Sequence, residues 1–307
     1  MNTTYKIVWS ATRSMRIAVA ETSRGQGKQN PLQSLRAVTC LIVLCASLVP
    51  EEANCAYTEN VPSNGVWYVI NEVIDDGGTQ TVFCSGGCGT TNGVYVSSGT
   101  QSLAGGSSLY TSVGSSGIQA VIAGSAYGTV VSRGGLLAVT GGVTSNTSLS
   151  GQQTVAGSGS ANTTLVGDGG LIQILSGGSS NRTFVTSGGT EIVADGGKAN
   201  DTQINGRGQS QILSGGVAAD AYIVSGGQQI ISAGGATLNP GVGSGGALTV
   251  SDGGTASNGY VDSRGMLKVF AGGQVKSVWM DSGAALVADT DTNVTGTNAL
   301  GAFSIDA

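Results

Sequence analysis

The 307-residue sequence contains no histidine, only 4 prolines, and few charged (10%) or aromatic (5%) residues. Without histidine it cannot form a Ser-His-Asp or Cys-His catalytic centre, and it lacks the commonest protein ligand for metals. Low charge combined with 39% hydrophobic residues argues against a disordered chain, because disorder goes with high net charge and few apolar residues. We therefore expect a folded, non-enzymatic protein with no cofactor and no metal site.

Basic residues are also scarce beyond the N-terminus. Residues 57–307 carry seven basic and fifteen acidic residues, a net charge of −8. A nucleic-acid-binding face needs clustered Lys and Arg to neutralise phosphates. The sequence therefore predicts no nucleic-acid partner.

Residues 1–56 have the organisation of an export signal. An uncharged apolar run, residues 37–49, follows a basic stretch and precedes small residues at 53–56. The run is shorter than the roughly 20 residues that span a bilayer, so it favours a cleaved signal peptide, with a buried core helix as the alternative. We expect export by the Sec machinery and cleavage between residues 53 and 57.

The stretch before this apolar run is unusually long and resembles the extended signal-peptide region of large Gram-negative autotransporters. The resemblance implies type V secretion. It is carried by Asn2, Tyr5, Lys6, Trp9, Ser10, Glu21, Arg24, Gly25 and Lys28.

Cysteine is rare after the signal, where Cys84 and Cys88 are separated by three residues. The oxidising periplasm favours a disulfide between such close partners, although so small a loop limits its stabilising effect. A metal site would need two further ligands nearby, and a catalytic redox pair is usually spaced C-x-x-C. We predict a structural disulfide.

Glycine, by contrast, is abundant, with 53 residues, and marks an internal repeat. A first set of glycines recurs every nineteen residues, and a Gly-Gly pair follows each of the later ones at the same period. The first set is Gly151, Gly170, Gly189, Gly208, Gly227, Gly246 and Gly265, and the mid-repeat pairs begin at Gly177, Gly196, Gly215, Gly234, Gly253 and Gly272.

Two columns of aliphatic residues share this period. A third column of small residues suits a tight interior corner, and the other columns, polar or mixed, are expected to face water. The small residues are Ser180, Ala199, Ala218, Thr237, Ala256 and Val275. Short aliphatic runs between glycine turns fit strands that stack on the same strand of the next repeat, whereas the glycine density excludes helices. The aliphatic columns are Ile174, Val193, Ile212, Ile231, Val250 and Val269, and Val185, Ile204, Ile223, Val242, Val261 and Met280.

The sequence thus predicts an all-β, single-chain β-solenoid, a parallel β-helix of about eleven 19-residue repeats. Residues 77–283 are expected to hold the repeats, and eighteen-residue spacings occur among Gly99, Gly117 and Gly135. We expect residues 57–76 to cap the N-terminal end, and residues 284–307 to form a tail or the start of a further passenger segment.

The repeat Ser187-Gly188-Gly189 through Ile204 resembles that of AIDA-type self-associating autotransporter adhesins, and the tail from Gly283 is similar to a segment of antigen-43-like members. The resemblance implies a surface-exposed passenger that mediates adhesion, cell–cell autoaggregation and biofilm formation. Its expected partners are the same protein on neighbouring cells and a host cell surface or matrix. A β-helical polysaccharide-cleaving enzyme is the alternative, although its two flanking carboxylates are not evident.

The family ends in an outer-membrane β-barrel, for which this sequence shows no alternating-strand pattern. A separate or missing barrel is therefore an expected partner. The chain is expected to travel through the periplasm to the cell surface or outer membrane, and to stay periplasmic if the barrel is absent.

Two sets of surface residues are candidates for function. Recurrent polar residues form a candidate self-association face, although Asn and Asp also suit turn backbones. Serines of Ser-Gly-Gly turns are candidate O-glycosylation sites for a heptosyltransferase, by resemblance, although Ser is also a common turn residue. The first set is Asn181, Asn200, Asp201, Asp220 and Asn258, and the second is Ser176, Ser187, Ser214, Ser225 and Ser244.

Overall fold

The computed structural model describes residues 4–10, 15–21, 58–61, 68–84 and 88–306, and every regular element in these ranges is a β-strand. The described residues include no helix long and apolar enough to cross a membrane. Two compact units are present, residues 1–41 and 42–307. The apolar run 37–49 and the expected cleavage region lie outside the described residues.

The first unit contains an antiparallel hairpin. Its strands are β1 (Thr4–Ser10) and β2 (Met15–Glu21), paired from Thr4 opposite Glu21 to Ser10 opposite Met15.

Among its described residues, the second unit contains 33 strands that belong to one continuous hydrogen-bonded system. In chain order they are β3 (Thr58–Val61), β4 (Tyr68–Ile70), β5 (Val73–Ile74), β6 (Thr79–Phe83), β7 (Thr90–Asn92), β8 (Tyr95–Val96), β9 (Thr100–Leu109), β10 (Ser112–Val113), β11 (Ile118–Tyr127), β12 (Val130–Val131), β13 (Leu136–Val139), β14 (Val143–Leu149), β15 (Gln152–Val155), β16 (Ser160–Val166), β17 (Leu171–Ile174), β18 (Ser179–Val185), β19 (Thr190–Val193), β20 (Lys198–Asn200), β21 (Gln203–Ile204), β22 (Gln209–Ile212), β23 (Val217–Ala219), β24 (Tyr222–Ile223), β25 (Gln228–Ile231), β26 (Ala236–Leu238), β27 (Gly241–Val242), β28 (Ala247–Val250), β29 (Thr255–Ser257), β30 (Tyr260–Val261), β31 (Met266–Val269), β32 (Gln274–Met280), β33 (Ala285–Ala288), β34 (Asn293–Asn298) and β35 (Gly301–Asp306).

Each turn of the chain, here called a rung, contributes strand segments to three parallel columns. In one rung these segments are β17 and the two ends of β18, which pair with β19, β20 and β21 of the next rung. Paired residues are nineteen apart, as in Leu171 opposite Thr190. The predicted parallel β-solenoid is confirmed, with about 12 turns against the eleven expected.

Both ends of the repeat region continue the stack. In the segment expected to form an N-terminal cap, β3, β4 and β5 pair in parallel with β6, β7 and β8. In the expected tail, β33 pairs in parallel with β31 and β34 with β32, and β35 then folds back antiparallel to β34.

The two aliphatic columns found in the sequence form the core. Each of their members is almost fully buried, from Ile174 and Val185 at 0% exposure to Met280 at 7%. Because the strand period is two, alternate side chains of each short strand point inward and stack on the equivalent residue of the next rung. One rung could not bury these residues alone, so the core exists only through stacking.

The glycines act in two different ways, one of which the sequence interpretation missed. The first glycine of each pair, such as Gly177 (φ +76°), occupies a left-handed turn position that suits glycine. The glycines of the first set have no left-handed φ. A Cβ at Gly189, for example, would lie 2.3 Å from the carbonyl oxygen of Val166. This column is glycine because successive rungs approach closely there.

The expectation that the other polar or mixed columns face water is wrong at two positions of each rung. One is the column of Thr164, Thr183 and Thr202, which is buried. The other lies on each first-column strand. This position, two residues before the aliphatic column, points inward, and we call it the mixed inner column. Its polar members are fully buried because the strand alternation gives them no other direction. Its members are Gln80, Gln101, Gln119, Leu137, Gln153, Ile172, Glu191, Ser210, Gln229, Leu248, Leu267 and Leu286.

Buried amides in the N-terminal rungs bind one another along the stack. The Gln101 Nε2 donates to Gln80 Oε1 (2.8 Å), and the Gln119 Nε2 donates to Gln101 Oε1 (2.7 Å). Hydroxyls of the other columns add to this ladder, with Thr111 Oγ1 donating to Gln101 Oε1 (3.3 Å) and Thr129 Oγ1 to Gln119 Oε1 (3.0 Å). Burial of these polar groups is tolerable because each finds a partner inside the stack.

Glu191 is a fully buried carboxyl group in the same column. It accepts hydrogen bonds from Ser210 Oγ (2.9 Å) and Thr202 Oγ1 (3.2 Å). The hydroxyls of Ser180 and Thr183 lie on the preceding rung without a partner of hydrogen-bond geometry. Burial raises the pKa of Glu191 above its usual 4.5, and the surrounding hydroxyls oppose this rise without overcoming it.

Candidate functional site

The predicted self-association residues lie together at one corner of the solenoid, here called the polar corner and made of residues 181 and 182 with their equivalents in later rungs. Asn181 and Asn200 end the second strand column of adjacent rungs and pair directly. Asp201, Asp220 and Asn258 follow one residue later, with φ between +53° and +56°. Asp and Asn suit this left-handed conformation better than other non-glycine residues, which explains their recurrence in backbone terms.

Side chains of the polar corner point outward and contact one another across rungs. Asn239 Nδ2 donates to Asp220 Oδ1 (3.0 Å), and Arg182 Nε lies 3.6 Å from Asp201 Oδ2. Asn181, Asn200, Asp220 and Asn258 are exposed. The acidic groups are therefore partly compensated within the chain, which lowers the repulsion between two such surfaces.

Arg182 was not among the predicted residues of this site, although its position in the sequence is enough to place it there. It lies nineteen residues before Asp201, so the period alone places both at the same corner. Asn162 likewise extends the Asn181–Asn200 row by one rung. Stacked amides about 4.8 Å apart can each donate and accept a hydrogen bond, so the row can pair with a similar row on another molecule.

The five candidate serines lie on two turns and are all exposed. Ser176 and Ser214 belong to the turn after the first strand column. Ser187, Ser225 and Ser244 belong to the turn after the third column. Hydroxyls in these positions are accessible to an enzyme, in contrast to Ser180 and Ser210 inside the stack.

The two cysteines meet at an enlarged turn of an N-terminal rung. A disulfide joins Cys84 and Cys88, whose Cα atoms are 4.1 Å apart. It lies between β6 and β7, where later rungs have a Gly-Gly turn, and Gly89 N donates to Phe83 O (2.9 Å) beside it. The bridge thus closes the corner locally.

The acidic residues that bear on the enzyme alternative are distributed over three corners. Asp195 and Asp252 lie on the first turn, Asp201 and Asp220 at the polar corner, and Asp262 and Asp281 after the third column. No cluster of three or more candidate metal-ligating residues occurs in the part of the chain that the structure describes.

Comparison with known proteins identifies both the signal and the passenger. Residues 1–50 match the family model for the Extended Signal Peptide of Type V secretion system. A search of curated proteins found no match. Among solved structures, the chain is similar to the crystal structure of the TibC-catalyzed hyper-glycosylated TibA55-350 fragment, with 33% sequence identity and a TM-score of 0.64, over 76% of this chain and 92% of that one.

These findings agree with the fold and with the predicted family resemblance. The signal and the passenger together indicate export through the periplasm to the cell surface. The chain belongs to the AIDA-type autotransporter adhesin family.

Proposed function

We propose that the passenger is a non-enzymatic adhesin that joins cells by self-association through its polar corner, and so promotes autoaggregation and biofilm formation. The observation that carries this proposal is the row of stacked, exposed amides that includes Asn181 and Asn200. Each amide contact between two copies is weak, but contacts repeated on successive rungs of one rigid surface act together. The same surface could also contact host cells or matrix.

Self-association is best tested with paired substitutions. The double variant Asn181→Ala and Asn200→Ala removes two stacked amides at positions where φ is not left-handed, so the backbone is not strained. At Asp220 and Asn258, glycine is the suitable replacement, because alanine would strain a left-handed residue. Gln209→Ala with Gln228→Ala is the matched control, since these amides are also exposed and paired on adjacent rungs.

The measurements are sedimentation equilibrium of the purified exported chain and settling of cells that display it. We expect the unsubstituted protein to associate, and the double asparagine variant to raise the dissociation constant about tenfold, since two lost hydrogen bonds contribute about 0.5–1.5 kcal/mol each. The glutamine control should associate normally. The proposal is refuted if the purified protein stays monomeric and the cells that display it remain dispersed.

We also propose that the exposed turn serines Ser176, Ser187, Ser214, Ser225 and Ser244 accept heptose from a heptosyltransferase. The support is their accessibility and the similarity to a TibA fragment that was crystallised in hyper-glycosylated form. Intact-mass measurement after co-expression with such a transferase tests this idea. We expect added sugar that disappears in the serine-to-alanine variants, while buried Ser180 and Ser210 stay unmodified; an unmodified mass would end the proposal.

A further inference from the structure

Three large aromatic side chains form a line on the outer face of the third strand column. Tyr222 pairs with Gly241, Gly241 with Tyr260, and Tyr260 with Trp279 on successive rungs. We call Tyr222, Tyr260 and Trp279 the outer aromatic column. Their exposed fractions are 48%, 41% and 41%, although aromatic residues make up only 5% of the chain.

The tyrosines of this column lean towards the following rung. The ring of Tyr222 lies over Gly241, where an added Cβ would come within 3.0 Å of its Cδ2, and its hydroxyl reaches the position of Gly243. The Tyr260 hydroxyl similarly reaches Asp281 on the next rung. The rings therefore lie along the surface and leave an outer face open to solvent.

One carboxylate fixes the two C-terminal rings. Asp281 Oδ2 accepts from the Tyr260 hydroxyl (2.6 Å), and its Oδ1 accepts from Trp279 Nε1 (3.1 Å). These two bonds lower the pKa of Asp281, and the same contact raises the pKa of Tyr260 to about 12. At physiological pH the pair is thus a carboxylate beside a neutral phenol, with both rings oriented before any ligand arrives.

The surroundings add negative charge. Asp262 occupies on the preceding rung the position that Asp281 occupies on its own. Within the residues that the structure describes, neither carboxylate belongs to an ion pair, even though Arg264 follows Asp262 by two residues. Residues 57–307 as a whole carry a net charge of −8.

We propose that the outer aromatic column, with Asp262 and Asp281, binds arginine side chains of a basic polypeptide. A guanidinium group stacks on Tyr or Trp faces and pairs with carboxylates, and ring faces and carboxylates both attract cations. Charge complementarity therefore selects a basic partner over an acidic or neutral one. This surface differs from the polar corner, so its binding does not depend on self-association.

Calorimetric titration of the purified exported chain with a nine-arginine peptide tests the proposal. The double variant Tyr260→Ala and Trp279→Ala should weaken binding at least about fivefold, since each exposed cation–π contact contributes roughly a factor of two to five. Asp281→Asn should weaken binding and reduce its salt dependence. Tyr260→Phe, which keeps the ring, should bind within about twofold of the unsubstituted protein.

The matched control is Tyr95→Ala, because Tyr95 lies in the same column with its hydroxyl over Gly114 instead of a carboxylate. It should bind the peptide normally, and all variants should keep their melting temperature. Equal affinity of the Tyr260/Trp279 double variant and the unsubstituted chain would overturn the proposal, since binding would then be general attraction to an acidic protein. The proposal would also be overturned if the uncharged sugar cellopentaose bound to these rings and its binding did not depend on salt, because the ligand would then be a neutral glycan.

Discussion

The two ends of the mixed inner column show opposite chemistry on the same backbone. In the N-terminal rungs the column is a ladder of amides, Gln80, Gln101 and Gln119, joined by hydrogen bonds along the stack. In the C-terminal rungs it contains Leu248 and Leu267, which are almost fully buried. Strand pairing is parallel at both ends, and the column residues pair directly with one another, Gln80 with Gln101 and Leu248 with Leu267.

This difference shows that the residues on the two adjacent rungs determine which side chain is stable at an interior position of the solenoid. A buried amide without partners costs about 1–3 kcal/mol, and burying a leucine contributes about 1.5–3 kcal/mol. A buried amide is stable when the adjacent rungs offer hydrogen-bond partners, and a buried leucine is stable when the adjacent rungs offer apolar side chains. Between the two ends the column is mixed. Leu137 interrupts the amides, and a second polar run of Glu191, Ser210 and Gln229 lies between Ile172 and Leu248.

The largest effect is expected when an amide is placed in the aliphatic region. Leu267→Gln should destabilise the protein by about 3–5 kcal/mol, because leucine burial is lost and the amide lies between Leu248 and Leu286. Urea unfolding, with hydrogen exchange to locate the weakened rungs, measures the change.

Leu137→Gln is the control for this substitution. Leu137 lies between Gln119 and Gln153, so an amide there completes the ladder. We expect a loss below about 1.5 kcal/mol, since new hydrogen bonds offset the lost apolar burial. Equal losses at positions 137 and 267 would mean that neighbouring rungs do not decide the outcome.

A medium effect is expected when the amide ladder is interrupted. Gln101→Leu removes the partner of Gln80, Gln119 and Thr111, and should destabilise the N-terminal rungs by about 2–3 kcal/mol. Its comparison is Gln229→Leu, because Gln229 accepts one bond from Thr237 while its Nε2 has no partner. That variant should change stability by less than about 1 kcal/mol, and a larger loss at 229 than at 101 would contradict the role of the ladder.

The smallest effect is a pH dependence at Glu191. The folded protein holds the proton of Glu191 more tightly than the unfolded chain, because burial raises its pKa above the usual 4.5. The resulting stabilisation is complete below about pH 4.5 and is lost as the pH rises through the raised folded-state value.

Glu191→Gln removes this dependence, since the amide is neutral and similar in shape. Compared over pH 4 to 8, the variant should match the unsubstituted protein at the acidic end and be more stable at neutral pH, by on the order of 1 kcal/mol. Identical melting temperatures at neutral pH would show that the carboxylate is not destabilising.

The sequence was sufficient to predict the stacked fold, because its signal repeats in every rung. The columns of Ile174 and Val185 show both the nineteen-residue period and the inward direction. Asn181, Asn200 and Asp201 could be assigned to one surface for the same reason. A single Asn or Asp at a turn would have indicated only a turn.

The mixed inner column could not be predicted, because polarity is a local signal and burial here depends on neighbours. Taken alone, Gln101 suits a solvent-facing position, and only its contacts with Gln80 and Gln119 on the adjacent rungs explain its burial. The line of Tyr222, Tyr260 and Trp279 was likewise missed, since Gly241 interrupts it and its members differ in type. Only the register between adjacent rungs shows that Asp281 contacts the side chain of Tyr260 as well as that of Trp279.

The account depends most on the claim that neighbouring rungs decide the free energy of each interior residue, and a double-mutant cycle between Leu248 and Leu267 measures this directly. The two residues pair on adjacent rungs, and Leu248 also adjoins Gln229. We predict that Leu267→Gln destabilises the Leu248→Gln variant at least about 1 kcal/mol less than it destabilises the unsubstituted protein, because the two amides bind each other. Additive losses would contradict the claim.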